Sequence, residues 1–328
     1  MLKLWPLMVL AGFLGQWTGC GKVVNSPLAA NLASPPPVRI ENLDPNLMPI
    51  QLRIDQGRLK PAIKLAERWI KKNPDSVYTD QALFLKAQAC FDKGSLHKAY
   101  DAYEELLNGF STSPLYEASL RQEMEIGRLY LTGKKRLLWG FIPIKGHSDA
   151  VVILDGIVER WPLSELSAQA MMMQADFFTQ NGRFMEAEST SQLLVDHYRN
   201  SQYFEAALLT SAQTAQAQYQ GPNYDSRCLT NARFKYERYM ALFPENAQKL
   251  GIAERIRRID WQEGEKCYLV GDYYLRTKRL GAARYYFDYI AQRWPGGTWD
   301  QKAQNRLKQI EHELESTPQN PTNAENLK

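Results

Sequence analysis

The residue types that most often carry catalysis or bind metals are sparse in this chain and poorly spaced for either task. Four cysteines and four histidines occur among 328 residues, and no two cysteines form the C-x-x-C pair of a zinc or dithiol site. One S-x-x-K sequence runs from Ser95 to Lys98, a spacing in which a lysine can help to activate a serine nucleophile. No partner motif accompanies it, and Ser95 stands where a serine would cap a helix. We therefore predict no enzyme activity, no catalytic residue, no metal site and no cofactor.

The overall charge excludes one further class of function. The 40 Lys+Arg residues against 36 Asp+Glu residues leave a formal charge of +4, which gives no basis for a nucleic-acid groove. Hydrophobic residues make up 44% of the chain and charged residues 23%, as in folded globular proteins. We expect Cys90, Cys228 and Cys267 to lie against neighbouring helices, where a cysteine packs as a small apolar residue.

The remaining cysteine, Cys20, follows a short apolar run near the start of the chain. Residues 4–14 (LWPLMVLAGFL) are apolar, whereas a membrane-spanning helix needs roughly twenty such residues. This pattern is typical of a secretory signal. Thr18, Gly19 and Cys20 resemble the lipobox of bacterial lipoproteins, in which a peptidase cuts before a cysteine that is then acylated. We predict a lipoprotein signal peptide over 1–19 and a lipidated Cys20; the alternative is an ordinary secretory signal followed by a chance cysteine.

The segments on either side of the predicted folded region are rich in proline or in polar residues. Residues 20–45 contain five prolines, so we expect an extended tether that holds the protein away from the lipid headgroups. Residues 317–328 are polar and interrupted by Pro318 and Pro321, which predicts a disordered tail. A repeat domain is predicted between them, over 46–316.

Within that domain an alanine, a large apolar residue seven later and a proline twelve later recur. The complete copies begin at four alanines: Ala62, Ala150, Ala232 and Ala283. Ala99 and Ala187 begin copies without the spaced proline. We call these six residues the anchor alanines. A proline after an apolar-periodic run ends a helix, because it lacks an N–H group.

A second pattern precedes these helices, in which a small residue is followed three positions later by an aromatic one. Gly127 with Tyr130, and Ala175 with Phe178, fit it. Small residues on paired helices, short turns and closing prolines match the tetratricopeptide pattern, although the anchors recur every 37–51 residues rather than about every 34. We therefore expect an all-α, tetratricopeptide-like superhelical solenoid of about six helix pairs, with no sheet and with a C-terminal capping helix.

The combination of a lipobox, a tether and elongated repeats resembles the BamD family of outer-membrane assembly lipoproteins. Residues 127–148, with Gly140 and Phe141, are similar to the family's long third-repeat connection. Residues 257–314, with Tyr273-Tyr274-Leu275-Arg276 and Arg293-Trp294-Pro295, are similar to its last repeat and cap. The resemblance covers most of the chain, over about residues 45–315.

The resemblance implies a non-catalytic scaffold lipoprotein of the machinery that assembles β-barrel proteins. Its implied partners are a barrel subunit with POTRA domains, other assembly lipoproteins and unfolded outer-membrane proteins. Gly21 after the cysteine, rather than aspartate, implies a lipid anchor in the outer membrane with the protein facing the periplasm. The alternative function is a periplasmic tetratricopeptide adaptor for cell-wall synthesis or division proteins.

A peptide-binding surface is expected on the concave side of repeats two to four, which the first helices of the pairs would line. The repeat register places a mixed aromatic, basic and amide set there. Its members are Phe84, Gln88, Phe91, Arg121, Arg128 and Met172. Aromatic side chains would supply contact area and polar groups would hold an extended peptide backbone. Of the adjacent methionines, we expect Met171 to pack in the core and Met172 to be exposed.

Overall fold

The described part of the chain folds as a row of helix–turn–helix pairs. The computed structural model describes residues 38–138 and 142–316. The predicted signal peptide, Cys20, most of the tether and the 317–328 tail lie outside these ranges. The fold is a tetratricopeptide-like solenoid of six helix pairs, closed by a C-terminal helix and interrupted by one short hairpin.

The two helices of each pair are joined by a turn or by a longer insertion. The first helices are α1 (Met48–Asp55), α3 (Thr79–Asp92), α5 (Tyr116–Leu131), α7 (Glu165–Gln180), α9 (Phe204–Ala217) and α12 (Ile252–Arg276). The second helices are α2 (Leu59–Lys72), α4 (Leu96–Gly109), α6 (His147–Arg160), α8 (Phe184–His197), α10 (Arg227–Leu242) and α13 (Leu280–Arg293). A short helix, α11 (Pro244–Lys249), precedes the sixth pair, and α14 (Thr298–Ser316) follows it.

The anchor alanines occupy equivalent places in the second helices and have no exposed surface. Small residues in the first helices allow equally close packing. A Cβ atom added to Gly127 would lie 3.3 Å from the Leu154 side chain, and one added to Gly271 would lie 2.9 Å from Phe287. The predicted register of the repeats is confirmed, since large residues of one helix fill the space beside small residues of its partner.

The turns inside the pairs share one backbone conformation. Gly94 and Gly182 have φ angles of 79° and 72°, in the left-handed region that glycine adopts readily. The following N–H groups of Ser95 and Arg183 donate to the carbonyls of Cys90 and Phe178, both at 2.8 Å. This bond back to the last helical turn is the Schellman termination, which reverses the chain in very few residues. Ser95 stands at the N-cap of α4, but its hydroxyl caps no main-chain N–H.

The expectation of no sheet was wrong at the insertion in the third pair. Strands β1 (Lys135–Leu138) and β2 (Ile142–Lys145) form an antiparallel hairpin, with Leu138 opposite Ile142. Two isoleucines in β2 favour an extended backbone, and a glycine, Gly140, stands between the strands. A short glycine-containing stretch between apolar runs is a hairpin signal, which the helical pattern around it obscures.

The end of the predicted tether packs against the first repeats. Val38 packs against the core cluster of the second and third pairs, and Ile40 packs against that cluster and the core of the first two pairs. The main-chain N–H of Asp44 donates to the Gln81 side chain at 2.9 Å, and Leu47 is fully buried. Residues 38–47 therefore cover the N-terminal end of the array, as α14 covers the other end against α12 and α13.

Candidate functional site

The structure does not bring the six predicted peptide-binding residues to one open surface. Phe84 and Met172 are each only 1% exposed. Phe84 packs edge-on against the Tyr103 ring, with ring centroids 5.6 Å apart, and Met172 belongs to the core around the fifth pair. Their assignment to an exposed surface was wrong; Met171 is buried as predicted.

The reason lies in the helix that carries Met172. Twelve of the sixteen residues of α7 are buried, since α7 contacts α6 and α8 as well as the first helices α5 and α9. The buried residues fall on every side of the helix and include the polar Ser167, Gln174 and Asp176. The inner side of the solenoid is therefore packed with protein at the fourth pair rather than open.

The two predicted arginines are on α5, and each is paired with a glutamate of the same helix. Arg121 is exposed and lies 2.6 Å from Glu117. Arg128 also lies 2.6 Å from its partner Glu125, whose side chain is buried. That hydrogen bond raises the pKa of Arg128. Because an exposed ion pair is worth under about 1 kcal/mol, Arg121 is the one that a ligand carboxylate would recruit at lower cost.

Gln88 and Phe91 are partly exposed on α3. The Gln88 Oε1 atom is buried and accepts no hydrogen bond from the described residues. These two residues, with the exposed Arg121 and the partly exposed Arg128, are the members of the predicted set that reach the surface.

A row of four aromatic rings in contact lies on the sixth pair. We call Tyr273, Tyr274, Tyr285 and Tyr286 the tyrosine face. Tyr274 of α12 stacks on Tyr286 of α13 with centroids 5.7 Å apart, and the outer rings of Tyr273 and Tyr285 each lie 5.5 Å from their neighbours. Tyr273 is 53% exposed and Tyr285 is 67% exposed. Exposed, ordered aromatic area of this kind marks protein-interaction sites.

The tyrosine face is built from two local features. Burial of small Gly271 against Phe287 draws α12 and α13 together and brings Tyr274 and Tyr286 into contact. Consecutive tyrosines on each helix then turn a second ring outward, since neighbouring helical positions differ by about 100°. Arg276 and Arg279 follow the α12 tyrosines in sequence and are exposed, and Arg276 pairs with Asp272 at 3.1 Å.

A polar network with two adjoining clefts lies between the second helices of the fourth and fifth pairs. Its centre is the Glu188 carboxylate of α8, which accepts hydrogen bonds from Lys235 Nζ at 2.6 Å, Asn231 Nδ2 at 2.6 Å and Gln218 Nε2 at 2.5 Å. The Lys235 side chain is 8% exposed and also donates to Ser211 Oγ at 2.6 Å. The clefts measure about 350 Å³ and about 530 Å³, and both are lined by Glu188 and Gln218.

Sequence reasoning missed this network, although the sequence carries a signal for it. Ala232, Lys235, Tyr236 and Tyr239 follow the i, i+3, i+4, i+7 spacing of a buried helix face, and the three apolar members are buried. A lysine on such a face requires a buried acceptor. Its acceptor, Glu188, is 47 residues away, so the sequence indicates that a partner exists but not which one.

In the described residues, neither the cysteines nor clusters of acidic side chains have the features of a catalytic or metal-binding site. Burial raises the pKa of the Cys90, Cys228 and Cys267 thiols, which disfavours the nucleophilic thiolate. Within 38–138 and 142–316, no group of three His, Cys, Asp or Glu side chains is placed to hold a metal ion. None of the helices in these ranges combines the length and apolar character that crossing a bilayer requires.

Comparison with known proteins gives structural neighbours only. No protein-family model and no curated protein matches the chain. A tetratricopeptide repeat protein from Parabacteroides merdae is 14% identical, with a TM-score of 0.34, over 80% of this chain and 96% of that one. A thermophilic tetratricopeptide repeat protein of Thermus thermophilus is 17% identical, with a TM-score of 0.29, over 65% of this chain and 96% of that one. Both TM-scores are low, and the six helix pairs themselves define the fold.

Proposed function

We propose that this chain is a non-catalytic scaffold lipoprotein of the machinery that assembles β-barrel proteins in the outer membrane. A solenoid of helix pairs is typical of proteins that hold other proteins together. The proposal for this particular machinery draws on the resemblance to the BamD family, at the lipobox of Thr18 to Cys20 and at residues 127–148 and 257–314.

The observation that carries the proposal is the tyrosine face. Two of its rings are more than half exposed, and all four are held in contact by their helices. Aromatic side chains that are ordered before binding lose little rotamer entropy on association. We assign this face to the barrel subunit with POTRA domains, because it lies in residues 257–314, one of the two segments where the resemblance is best.

Lipidation of Cys20 would also favour the association with a membrane-embedded partner. Each buried methylene group of an acyl chain stabilises membrane attachment by about 0.8 kcal/mol, and two chains suffice for stable anchoring. A Cys20 anchor would confine the encounter between this chain and a membrane-embedded partner to one surface. The effective concentration of the partner would then be high enough for a modest intrinsic affinity.

Co-purification from detergent-solubilised envelopes tests the proposal. Tagged full-length chain should recover a barrel protein with POTRA domains, and a Tyr273→Ala, Tyr285→Ala double variant should recover several-fold less. Phe234→Ala is the matched control, since Phe234 is 66% exposed but lies on α10 away from the face. Recovery of peptidoglycan enzymes in place of the barrel protein would support the periplasmic adaptor function instead.

A further inference from the structure

The clefts between α8 and α10 have a chemistry that the assembly role does not use. Glu188 is not itself available to bind a ligand cation, because three donors already occupy its two oxygens. Lys235 neutralises its charge at 2.6 Å. The carboxylate therefore acts as a positioning group that fixes the side chains around it.

The residues fixed in this way are two amides. Gln218 and Asn231 each direct the amide nitrogen to Glu188, which determines the orientation of the whole amide group. Both side chains line the larger cleft, and no donor among the described residues bonds to either carbonyl oxygen. The cleft therefore offers two oriented hydrogen-bond acceptors.

The smaller cleft adds an apolar floor. Met185 and Leu193 of α8 line it and are 73% and 49% exposed. Methionine adapts its shape to varied apolar partners. A ligand that reaches both clefts would contact an apolar surface at one end and the two acceptors at the other.

The charged side chains of the two clefts indicate which kind of ligand could bind there. Glu188 is paired with Lys235, which lies behind the lining, and Asp225 is paired with Arg227 at 2.5 Å, so each carboxylate of the lining already has a countercharge. An anionic or strongly cationic ligand would find no unpaired countercharge there. A neutral ligand with N–H donors and apolar groups matches the lining.

We propose that the two clefts together bind an extended, uncharged peptide segment of a partner protein. Main-chain N–H groups of the segment donate to Gln218 and Asn231, and an apolar side chain rests on Met185 and Leu193. Alternate N–H groups of an extended chain face one side, so neighbouring acceptors on one wall suit such a segment. The inference rests on the proposed function only in that the ligand belongs to a protein; it does not require the lipid anchor or the barrel subunit.

The probe for the test is a library of random linear nonapeptides displayed on phage and selected on the intact full-length protein. Enriched peptides are then synthesised, and their affinities are measured by fluorescence anisotropy. We expect Asn231→Leu and Met185→Ser each to weaken binding by about tenfold, which corresponds to about 1.4 kcal/mol. Phe234→Ala and Val152→Ser are matched controls on exposed helical positions outside the clefts and should leave the affinity unchanged.

A modified peptide provides the sharper measurement. N-methylation of single peptide bonds should abolish binding at the one or two positions whose N–H groups donate to the amides, and should be tolerated elsewhere. Circular dichroism spectra of the variants establish that they fold. The inference is overturned if no peptide is enriched, or if the enriched peptides bind the Asn231 and Met185 variants as tightly as the unaltered protein. Peptide binding without recovery of a barrel protein would overturn the assembly role alone.

Discussion

Replacement of the buried Glu123 by glutamine should change how stability depends on pH. Glu123 lies on α5 with no exposed surface, and no donor in the described residues reaches either of its carboxylate oxygens. Burial raises the pKa of Glu123 well above its usual 4.5; the charge of Glu104 adds to the shift and the charge of Arg160 opposes it. Arg160 is itself committed to Glu104, through bonds of 2.8 and 2.7 Å.

The sign follows from the proton that the folded state retains. Below pH 4.5 Glu123 is protonated in both the folded and the unfolded chain, and the free energy of unfolding is not reduced by its ionisation. Above that pH the unfolded chain releases the proton and the folded chain keeps it, so the free energy of unfolding falls until the pH passes the raised pKa. The slope for one proton is about 1.4 kcal/mol per pH unit. A glutamine has no proton to release, and its N–H group can donate to Glu104.

Urea-induced unfolding at pH 5, 6 and 7, followed by far-ultraviolet circular dichroism, measures this difference. The advantage of Glu123→Gln over the unaltered protein should grow by about 1.4 kcal/mol for each unit within the window. The control is Glu117→Gln, which removes a half-exposed partner of Arg121 and should change stability by under about 1 kcal/mol at every pH. Parallel pH profiles for Glu123→Gln and the unaltered protein would refute the reasoning.

Three further substitutions test the packing, the turns and the buried pair. Ala283→Leu should overpack the sixth helix pair and lower the free energy of unfolding by about 1–3 kcal/mol. The control Ala282→Leu changes a partly exposed position and should lower it less. Equal losses in urea unfolding would contradict the register that places Ala283 against the partner helix. Leu163 and Gly296 both follow a proline and have φ angles of 59° and 76°. Leu163→Gly should therefore raise the free energy of unfolding and Gly296→Leu should lower it, each by up to about 1 kcal/mol. Shifts in the same direction would be inconsistent with backbone strain. Lys235→Met removes the charged partner of Glu188 and should destabilise the protein by about 3 kcal/mol or more, while Lys98→Met at an exposed position should be nearly neutral in the same assay.

The sequence predicted the helix pairs well because their determinants are local. The anchor alanines, the closing prolines and the turn glycines each act within one or two helical turns, so their spacing specifies all six pairs. The burial of Phe84 and Met172 depends instead on how closely successive pairs approach each other, which no single repeat encodes. The Glu188–Lys235 pair likewise joins helices of different repeats, and the hairpin depends on a few β-branched residues inside a helical context.

The central claim, that the sixth pair engages the barrel subunit of an assembly machinery, is tested most directly by site-specific photo-crosslinking. A photoreactive residue placed at position 285 of the full-length chain, in the native cells, should crosslink to a barrel protein with POTRA domains. The same residue at position 234, which is equally open to solvent, should give little of that product. Crosslinks to the barrel protein from position 234 and none from position 285, or crosslinks from position 285 to cell-wall enzymes alone, would contradict the account.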